Sequence, residues 1–411
     1  MRIVYLHQYF NTPDMAGGTR SYEFARRWAS YGHEVHVVTT SGDSRGCSGW
    51  RQEVVDGINI HWLRVPYDNR MSYARRAYAW TRFALRSSLR ARRLRGDVVF
   101  ATSTPLTIAI PGVAATLGKR SPMVFEVRDL WPEVPIALGA LKNPVLRGLA
   151  RWLERFAYRH SSAVVALSPD MSEGVRRAGY QGPVHTIPNA SDLELFDVGP
   201  EHGKAFRDER PWLGSSPLVV YTGTFGRVNG VSYMVELAAE CAARGSSAKF
   251  LAVGDGAEWD QIKSLADRSG VLGRNFFMER SLKKSQMPSV LSAATVGASW
   301  VIPVPALEAN SANKFFDCLA AGLPIVINYG GWQRDLIEAE GVGIALHASN
   351  VSDAAESLVD FLDNSPALRS AGISGRRLAR SRFSRDNLAA QLRGILETAA
   401  PNQSNEQMKG R

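Results

Sequence analysis

A chain of 411 residues is long enough for two or three domains, and its 45% hydrophobic and 21% charged residues are those of a globular protein able to bury large cores. Its three cysteines, Cys47, Cys241 and Cys318, lie far apart and match neither a metal-ligand spacing nor a disulfide framework, which points to a reducing cytoplasm. The net charge of +10 is unevenly placed. Residues 1–196 hold 26 basic and 16 acidic side chains and the remainder holds 23 of each, so the first half is expected to face a polyanion, either a nucleic acid or a membrane surface.

The N-terminal "MRIVYLHQYF" has too short an apolar run for a signal peptide, and no run of 18 apolar residues is present to span a membrane. In chain order, "RIVYLH" (2–7) predicts a strand and "DMAGGTR" (14–20) a Gly-rich loop. "SYEFARRWASYG" (21–32) predicts a helix stopped by Gly32, and "HEVHVVTT" (33–40) the next strand. "DVVFATS" (97–103), "MVFEVRD" (123–129) and "AVVALS" (163–168) continue the alternation, which "HTIPNASDLELF" (185–196) closes. Residues 197–215, polar and rich in Gly and Pro, predict a linker.

The pattern then restarts with "LVVYTGTFG" (218–226), the helix "VSYMVELAAECAARG" (231–245), and strands in "KFLAVGDG" (249–256), "NFFMERS" (275–281), "VGASWV" (296–301) and "PIVINYGG" (324–331). Strands alternating with helices mean a parallel sheet covered on both faces. The fold class read from this is α/β: two doubly wound, Rossmann-like domains, 1–196 and 216–383, facing across a cleft at the C-terminal ends of their strands. Residues 384–400 predict a C-terminal helix packing back on the first domain, and 401–411 a polar, disordered tail.

The loops at those strand ends carry the chemistry. "YTGTFGRVNG" (221–230) has three glycines and Arg227, "VGDG" (253–256) has Gly254 and Gly256, and "ERSLKK" (279–284) has Arg280, Lys283 and Lys284. "ANKFFD" (312–317) places Asn313, Lys314 and Asp317 at the start of an otherwise apolar helix. Basic side chains and free backbone donors gathered on one edge fit a nucleoside diphosphate. The chain holds no G-x-x-x-x-G-K-[ST], H-E-x-x-H, C-x-x-C or D-x-D motif, so no metal is expected.

"GGTRSYEFARRWASYGHEVHVVT", "IPNASDLELF", "YTGTFGRVNG" and "NKFFDCLAAGLPIV", in this order over almost the whole chain, resemble glycosyltransferase family 4. The resemblance implies the GT-B fold and retaining, nucleotide-sugar-dependent transfer without a cofactor. "VFEVRDLWPEVPIALGAL" (124–141) and "NSANKFFD" are most similar to the subgroup that builds bacterial surface polysaccharides, near the amino-fucose transferases. In the family an acidic residue, seven others and a second acidic residue precede an "A-x-G-x-P" element. Asp317 holds the second position, where the carboxylate binds ribose hydroxyls, while the first falls on Ala309. Glu308, or Asn313 with Lys314, is expected to take over that role.

The family's basic pair falls on Thr224 and Asn229, leaving Arg227 and Lys283 or Lys284 to supply the charge, with Arg280 and Gly254 on the same edge. Gly17 and Gly18 match the glycines that approach the donor diphosphate, and Asp129, with Glu126 and Arg128 beside it, stands where many members place a His near the reacting sugar. Asp129 and Lys314 are the expected catalytic residues. The alternative for Asp129 is a helix N-cap before "LWPEV".

Residues 70–95 hold nine Arg, no acid and interleaved Tyr73, Tyr78, Trp80 and Phe83, the make-up of an interfacial membrane element with Arg82, Arg86 and Arg90 facing an anionic surface. Residues 143–160 add Arg147, Arg151, Arg155 and Arg159 on one stripe. The expected protein is cytoplasmic and peripheral on the inner membrane face, with no nucleic-acid partner. It would move a sugar, N-acetylated, from a uridine diphosphate donor to a glycan or polyprenyl-diphosphate-linked acceptor. The alternatives are a guanosine-diphosphate donor or a non-catalytic nucleotide-sugar-binding regulator.

Overall fold

The computed structural model describes residues 1–15, 17–41, 49–66, 71–117, 121–190 and 193–401. They form two compact units, one of Met1–Pro188 with the segment from Asp386 onward, the other of Asn189–Arg385. The expected tail, apart from residue 401, lies outside the described residues.

In the first unit, β1 (Arg2–Leu6), β2 (Glu34–Ser41), β3 (Trp50–Val55), β4 (Ile58–Arg64), β5 (Val98–Thr102), β6 (Met123–Val127), β7 (Ala163–Ala166) and β8 (Val184–Thr186) make one sheet in the order β3-β4-β2-β1-β5-β6-β7-β8. Every pairing is parallel except β3 with β4. That hairpin turns on Asp56 and Gly57, whose φ values of 47° and 77° are the left-handed pair a type I′ turn requires. β5 and β6 are buried at every residue, which is why they read as unbroken apolar runs rather than alternating ones.

The unit's helices are α1 (Arg20–Ser30), α2 (Tyr73–Leu94), α3 (Ala109–Thr116), α4 (Glu133–Ala137), α5 (Pro144–Arg159) and α6 (Pro169–Arg177). Crossovers between parallel strands are right-handed, so the direction of each step across the sheet fixes the face a helix covers. The steps β4 to β5, β5 to β6 and β6 to β7 run one way and put α2, α3 and α5 on one face. The step β1 to β2 runs the other way and puts α1 on the opposite face.

In the second unit, β9 (Leu218–Thr222), β10 (Lys249–Val253), β11 (Phe276–Glu279), β12 (Val296–Ser299), β13 (Ile325–Ile327) and β14 (Gly343–Ala345) form a wholly parallel sheet, β11-β10-β9-β12-β13-β14. Around it lie α7 (Leu193–Phe196), α8 (Pro200–Asp208), α9 (Val231–Ala243), α10 (Trp259–Arg268), α11 (Met287–Ala293), α12 (Asn313–Ala321), α13 (Trp332–Glu340), α14 (Val351–Asp363) and α15 (Ser365–Arg382). Two apolar clusters cover the two faces of this sheet, one centred on Val220, Leu251 and Phe315 and the other on Val219, Phe250 and Trp300.

The expected linker 197–215 is corrected by the structure: it contains α8, which packs on α11 and buries Phe206 in the second unit's core. Pro200 opens that helix, where its missing N–H costs nothing. The last helix, α16 (Arg385–Ala399), belongs to the first unit from Asp386 on. Trp28 Nε1 of α1 donates to the Ala389 carbonyl at 3.1 Å, and Arg27 Nε donates to Asp386 at 2.5 Å.

Candidate active site

Because β9, β10, β11 and β12 run parallel, their C-terminal loops share one edge of the second unit. β9 leads into Gly223 and Thr224, β10 into Gly254 and Asp255, and β11 into Arg280 and Lys283. The first two loops touch through bare backbone. A Cβ on Gly254 would stand 1.7 Å from the Gly223 carbonyl oxygen, so glycine at 254 is demanded by chain packing itself.

Lys314, in the first turn of α12, lies against this backbone junction. A Cβ on Gly223 would come within 3.3 Å of its Nζ. The ammonium sits 4.5 Å from the centroid of the Tyr221 ring and donates to Tyr221 Oη at 3.5 Å, while Tyr221 Oη donates to the Thr224 carbonyl at 2.8 Å. Desolvation pushes the Lys314 pKa down to about 8, against a smaller upward pull from Cys318. Its side chain is half-buried, so the ammonium retains an opening to solvent while most of its surroundings are protein. No carboxylate among the described residues pairs with it.

The other expected cations differ from Lys314 and from one another. Lys284 Nζ donates to Asp317 Oδ2 at 2.6 Å and lies 4.8 Å from the Phe196 ring centroid, so Asp317 already has a cation on one oxygen. Arg280 donates to Asp255 Oδ1 at 2.8 Å, and its guanidinium carbon lies 3.9 Å from the Trp259 ring centroid. Arg227 and Lys283 are exposed, and Asn313 and Thr224 are exposed as well. Glu308, one position away from the family's first acidic site, turns toward Gly330: a Cβ there would lie 2.9 Å from Glu308 Oε2.

The first unit gathers a second set of polar groups at the end of its own strands. Arg128, after β6, donates from Nη1 to His7 Nε2, after β1, at 3.3 Å. That leaves the imidazole proton on Nδ1, which is buried and has no hydrogen-bond partner among the described residues. Burial and the adjacent Arg128 charge hold the His7 pKa well below its ordinary value, so the ring is neutral.

Asp129 follows. Desolvation pushes its carboxyl up to about 6, with Arg128 opposing, although the residue itself is exposed. It is not a helix cap, since Pro132 occupies that place before α4. Glu126 is fully buried and taken up by an ion pair with Arg20 Nη2 at 2.9 Å and a hydrogen bond from Thr102 Oγ1. Arg20 also donates to the carbonyls of Ile187 at 2.8 Å and Pro188 at 2.5 Å, tying α1 to the end of the unit. Gly17 has φ 126°, a conformation that favours glycine, and a Cβ there would displace the Asn11 amide; Gly18 next to it is exposed.

His7 and Arg20 escaped the sequence reading. The signal for His7 was its place as the last residue of a predicted strand; Arg20 was quoted only as the end of a Gly-rich loop. Among the expected membrane residues, Arg86 is exposed while Arg82 and Arg90 are half-buried, and the Arg90 guanidinium carbon stands 5.0 Å from the Trp50 ring centroid.

The Glycosyl transferase 4-like domain family matches residues 16–190, and the Glycosyl transferases group 1 family matches residues 204–378. The chain belongs to the glycosyltransferases. Alpha-D-kanosaminyltransferase of Streptomyces kanamyceticus is 25% identical over 253 residues, covering 60% of this chain and 63% of that protein. Probable glycosyltransferase WbjE of Pseudomonas aeruginosa is 29% identical over 221 residues, covering 52% and 54%. The chain thus spans between half and two thirds of the length of these curated relatives.

Among solved structures, sucrose-phosphate synthase from Thermosynechococcus elongatus superposes with a TM-score of 0.79 at 16% identity, over 97% of this chain and 98% of that one. Anabaena HepE in complex with UDP and glucose gives 0.72 at 16% identity, over 97% and 100%. At such identities these likenesses establish the two-domain GT-B fold of this glycosyltransferase.

Proposed function

We propose that this glycosyltransferase takes an N-acetylated sugar from a uridine diphosphate donor, with retention, and passes it to a glycan or polyprenyl-diphosphate-linked acceptor in bacterial surface-polysaccharide synthesis, working as a peripheral protein on the inner face of the cell membrane. The observation that carries the reading is the unpaired Lys314 ammonium, held against the Gly223–Gly254 backbone at the C-terminal edge of a parallel sheet. A diphosphate supplies the missing counter-charge. As the sugar bond breaks, negative charge grows on the leaving phosphate, and a fixed ammonium stabilises it more than it stabilises the intact donor. Asp317 uses the carboxylate oxygen left free by Lys284 to accept from a ribose hydroxyl. Arg280, neutralised by Asp255, contributes less to the diphosphate than Lys314 does, and Arg227 and Lys283 reach it from exposed positions. Asn313 works beside Lys314 at the sugar. In the first unit Gly17 and Gly18 leave backbone open to the donor, and Asp129 with its neighbour Arg128 orients the reacting groups. The uridine complexes of the Anabaena protein support the choice of base.

A thermal-shift screen against nucleoside diphosphates, followed by UDP release from UDP-N-acetylhexosamines, tests the reading. A ligand that binds only the folded state raises the melting temperature. Stabilisation by UDP together with turnover is expected, and turnover should persist in EDTA. Stabilisation by GDP instead identifies a guanosine donor. Binding without turnover identifies a regulator, a result that Thr224 and Asn229, uncharged where the family's basic pair falls, would explain.

A further inference from the structure

On the sheet face covered by α2, α3 and α5, the layer does not end in a polar surface. On α2, Tyr78, Leu85 and Leu89 are spaced seven and four apart, and the two leucines are 63% and 64% exposed. At about 100° per residue these three fall on one stripe, opposite the buried Phe83 and Ser87. On α5, Val145, Leu149 and Trp152 repeat the pattern opposite the buried Ala157 and Tyr158, with Val145 75% and Trp152 52% exposed. Trp152 stacks on Phe156 in the next turn, at 5.4 Å between centroids. α3 packs between the two helices and ends with Leu117 exposed. Two helices therefore turn apolar stripes directly away from the core, with Leu117 exposed at the end of the helix between them, where a solvated surface would carry polar residues.

The charge beside these stripes has one sign. Arg75, Arg86 and Arg93 on α2, and Arg151, Arg155 and Arg159 on α5, are all exposed. The only acid on the three helices is Glu154, and it is buried. Apolar side chains pointing outward with arginines along their flank match the boundary of an anionic bilayer, where acyl chains accept the former and phosphates the latter. A polynucleotide would use the arginines but leave the leucines and Trp152 in water.

We propose that the outward face of α2, α3 and α5 docks on an anionic phospholipid bilayer and inserts Leu85, Leu89, Leu149 and Trp152 at the level of the headgroups. This rests on the membrane placement proposed above, but moves the contact from one basic helix to a three-helix apolar face, with Arg90 outside it.

The test is co-sedimentation of the full chain with mixed phosphatidylglycerol–phosphatidylcholine vesicles and with pure phosphatidylcholine vesicles, alongside sedimentation velocity without lipid. The wild type is expected to pellet with the mixed vesicles and to stay in solution with the neutral ones. The variant Leu85→Ser/Leu89→Ser/Trp152→Ser alters only exposed positions; circular dichroism and its thermal shift with UDP check its fold. It should bind mixed vesicles about a thousandfold more weakly, at roughly a tenfold loss for each of the three large side chains that no longer leaves water. Arg86→Gln/Arg151→Gln/Arg155→Gln should lose about fivefold per arginine, and less in high salt.

Unchanged pelleting of the serine variant overturns the insertion while leaving membrane placement intact. A wild type that pellets with neither vesicle overturns both, whatever UDP does. A wild-type dimer that the serine variant dissolves makes a second copy the occupant and also overturns the proposal.

Discussion

Replacing Lys314 with Met is expected to stabilise the unliganded protein while abolishing transfer. Burial moves the ammonium from 10.5 to about 8, so holding it charged in its recess costs about 3 kcal/mol at 1.36 kcal/mol per pH unit. Below pH 8 both the folded and the unfolded chain carry this proton, and the cost is present in full. Between about 8 and 10.5 the unfolded chain keeps the proton and the folded one sheds it, so wild-type stability gains from this residue as pH rises. The variant should melt several degrees higher at pH 7 and lack that alkaline gain. A bound diphosphate reverses the preference by restoring a counter-charge. At pH 9 roughly a tenth of the free protein is charged at Lys314, so UDP binding should draw in roughly nine-tenths of a proton. Isothermal titration of UDP at pH 9, in buffers that differ in ionisation enthalpy, reads that uptake directly. Heats that do not depend on the buffer, or the same uptake in the Met variant, would refute the assignment of the diphosphate to Lys314.

Glu154, buried beneath Tyr158, has its carboxyl pushed up to about 7, chiefly by desolvation. Its folded form holds a proton that the unfolded chain has lost between pH 4.5 and 7, so stability falls through that window as pH rises; Glu154→Gln should flatten the fall and gain up to about 3 kcal/mol at pH 8 in urea denaturation. Arg20→Met leaves the Glu126 carboxylate buried without its cation and should cost about 3–5 kcal/mol in the same assay, most of it recovered by adding Glu126→Gln. Asp317→Ala should lower kcat/KM between about tenfold and a hundredfold, the value of one charge-assisted hydrogen bond of about 1.5–3 kcal/mol to the ribose; unchanged kinetics would leave Asp317 as the counter-ion of Lys284 alone.

The central strands were legible because a parallel strand buried on both faces must be a continuous apolar run, as in "MVFEV" and "LVVYT". The β3–β4 hairpin was missed for the converse reason. β3 is half-exposed and polar, "WRQEVV", and only the "DG" after it announced a tight turn. The linker reading failed at Pro200, where proline opens a helix rather than breaking one. At the candidate site the glycines were readable from their place after predicted strands. The state of the charges was not, because pairing is decided across the fold: Arg280 meets Asp255 25 residues away, and Lys284 meets Asp317 33 residues away.

That pairing is what separates the cations of the second unit. Lys284, Arg280, Arg227, Lys283 and Lys314 look alike as loop residues, and counting them makes a basic edge. In the fold, Lys284 and Arg280 spend their charge on Asp317 and Asp255, which leaves local neutrality, while Arg227 and Lys283 stand in water, where an isolated charge costs little and holds little. Lys314 alone among the five is both desolvated and without a carboxylate among the described residues. Its nearest groups are a phenol ring and a backbone junction that leaves no room for a side chain at 254. An arrangement that lowers the stability of the empty fold, and that a methionine of similar length would relieve, is accounted for when an anion completes it. The N–H groups of Gly223 and Gly254 are already spent on the carbonyls of Val253 and Glu279, at 2.9 and 3.0 Å, so at this junction the ammonium is the group left to meet the anion, and the glycines serve by keeping any Cβ out of its way. The local cost in the free protein and the gain on binding are two readings of one displaced pKa, and measuring proton uptake tests both at once.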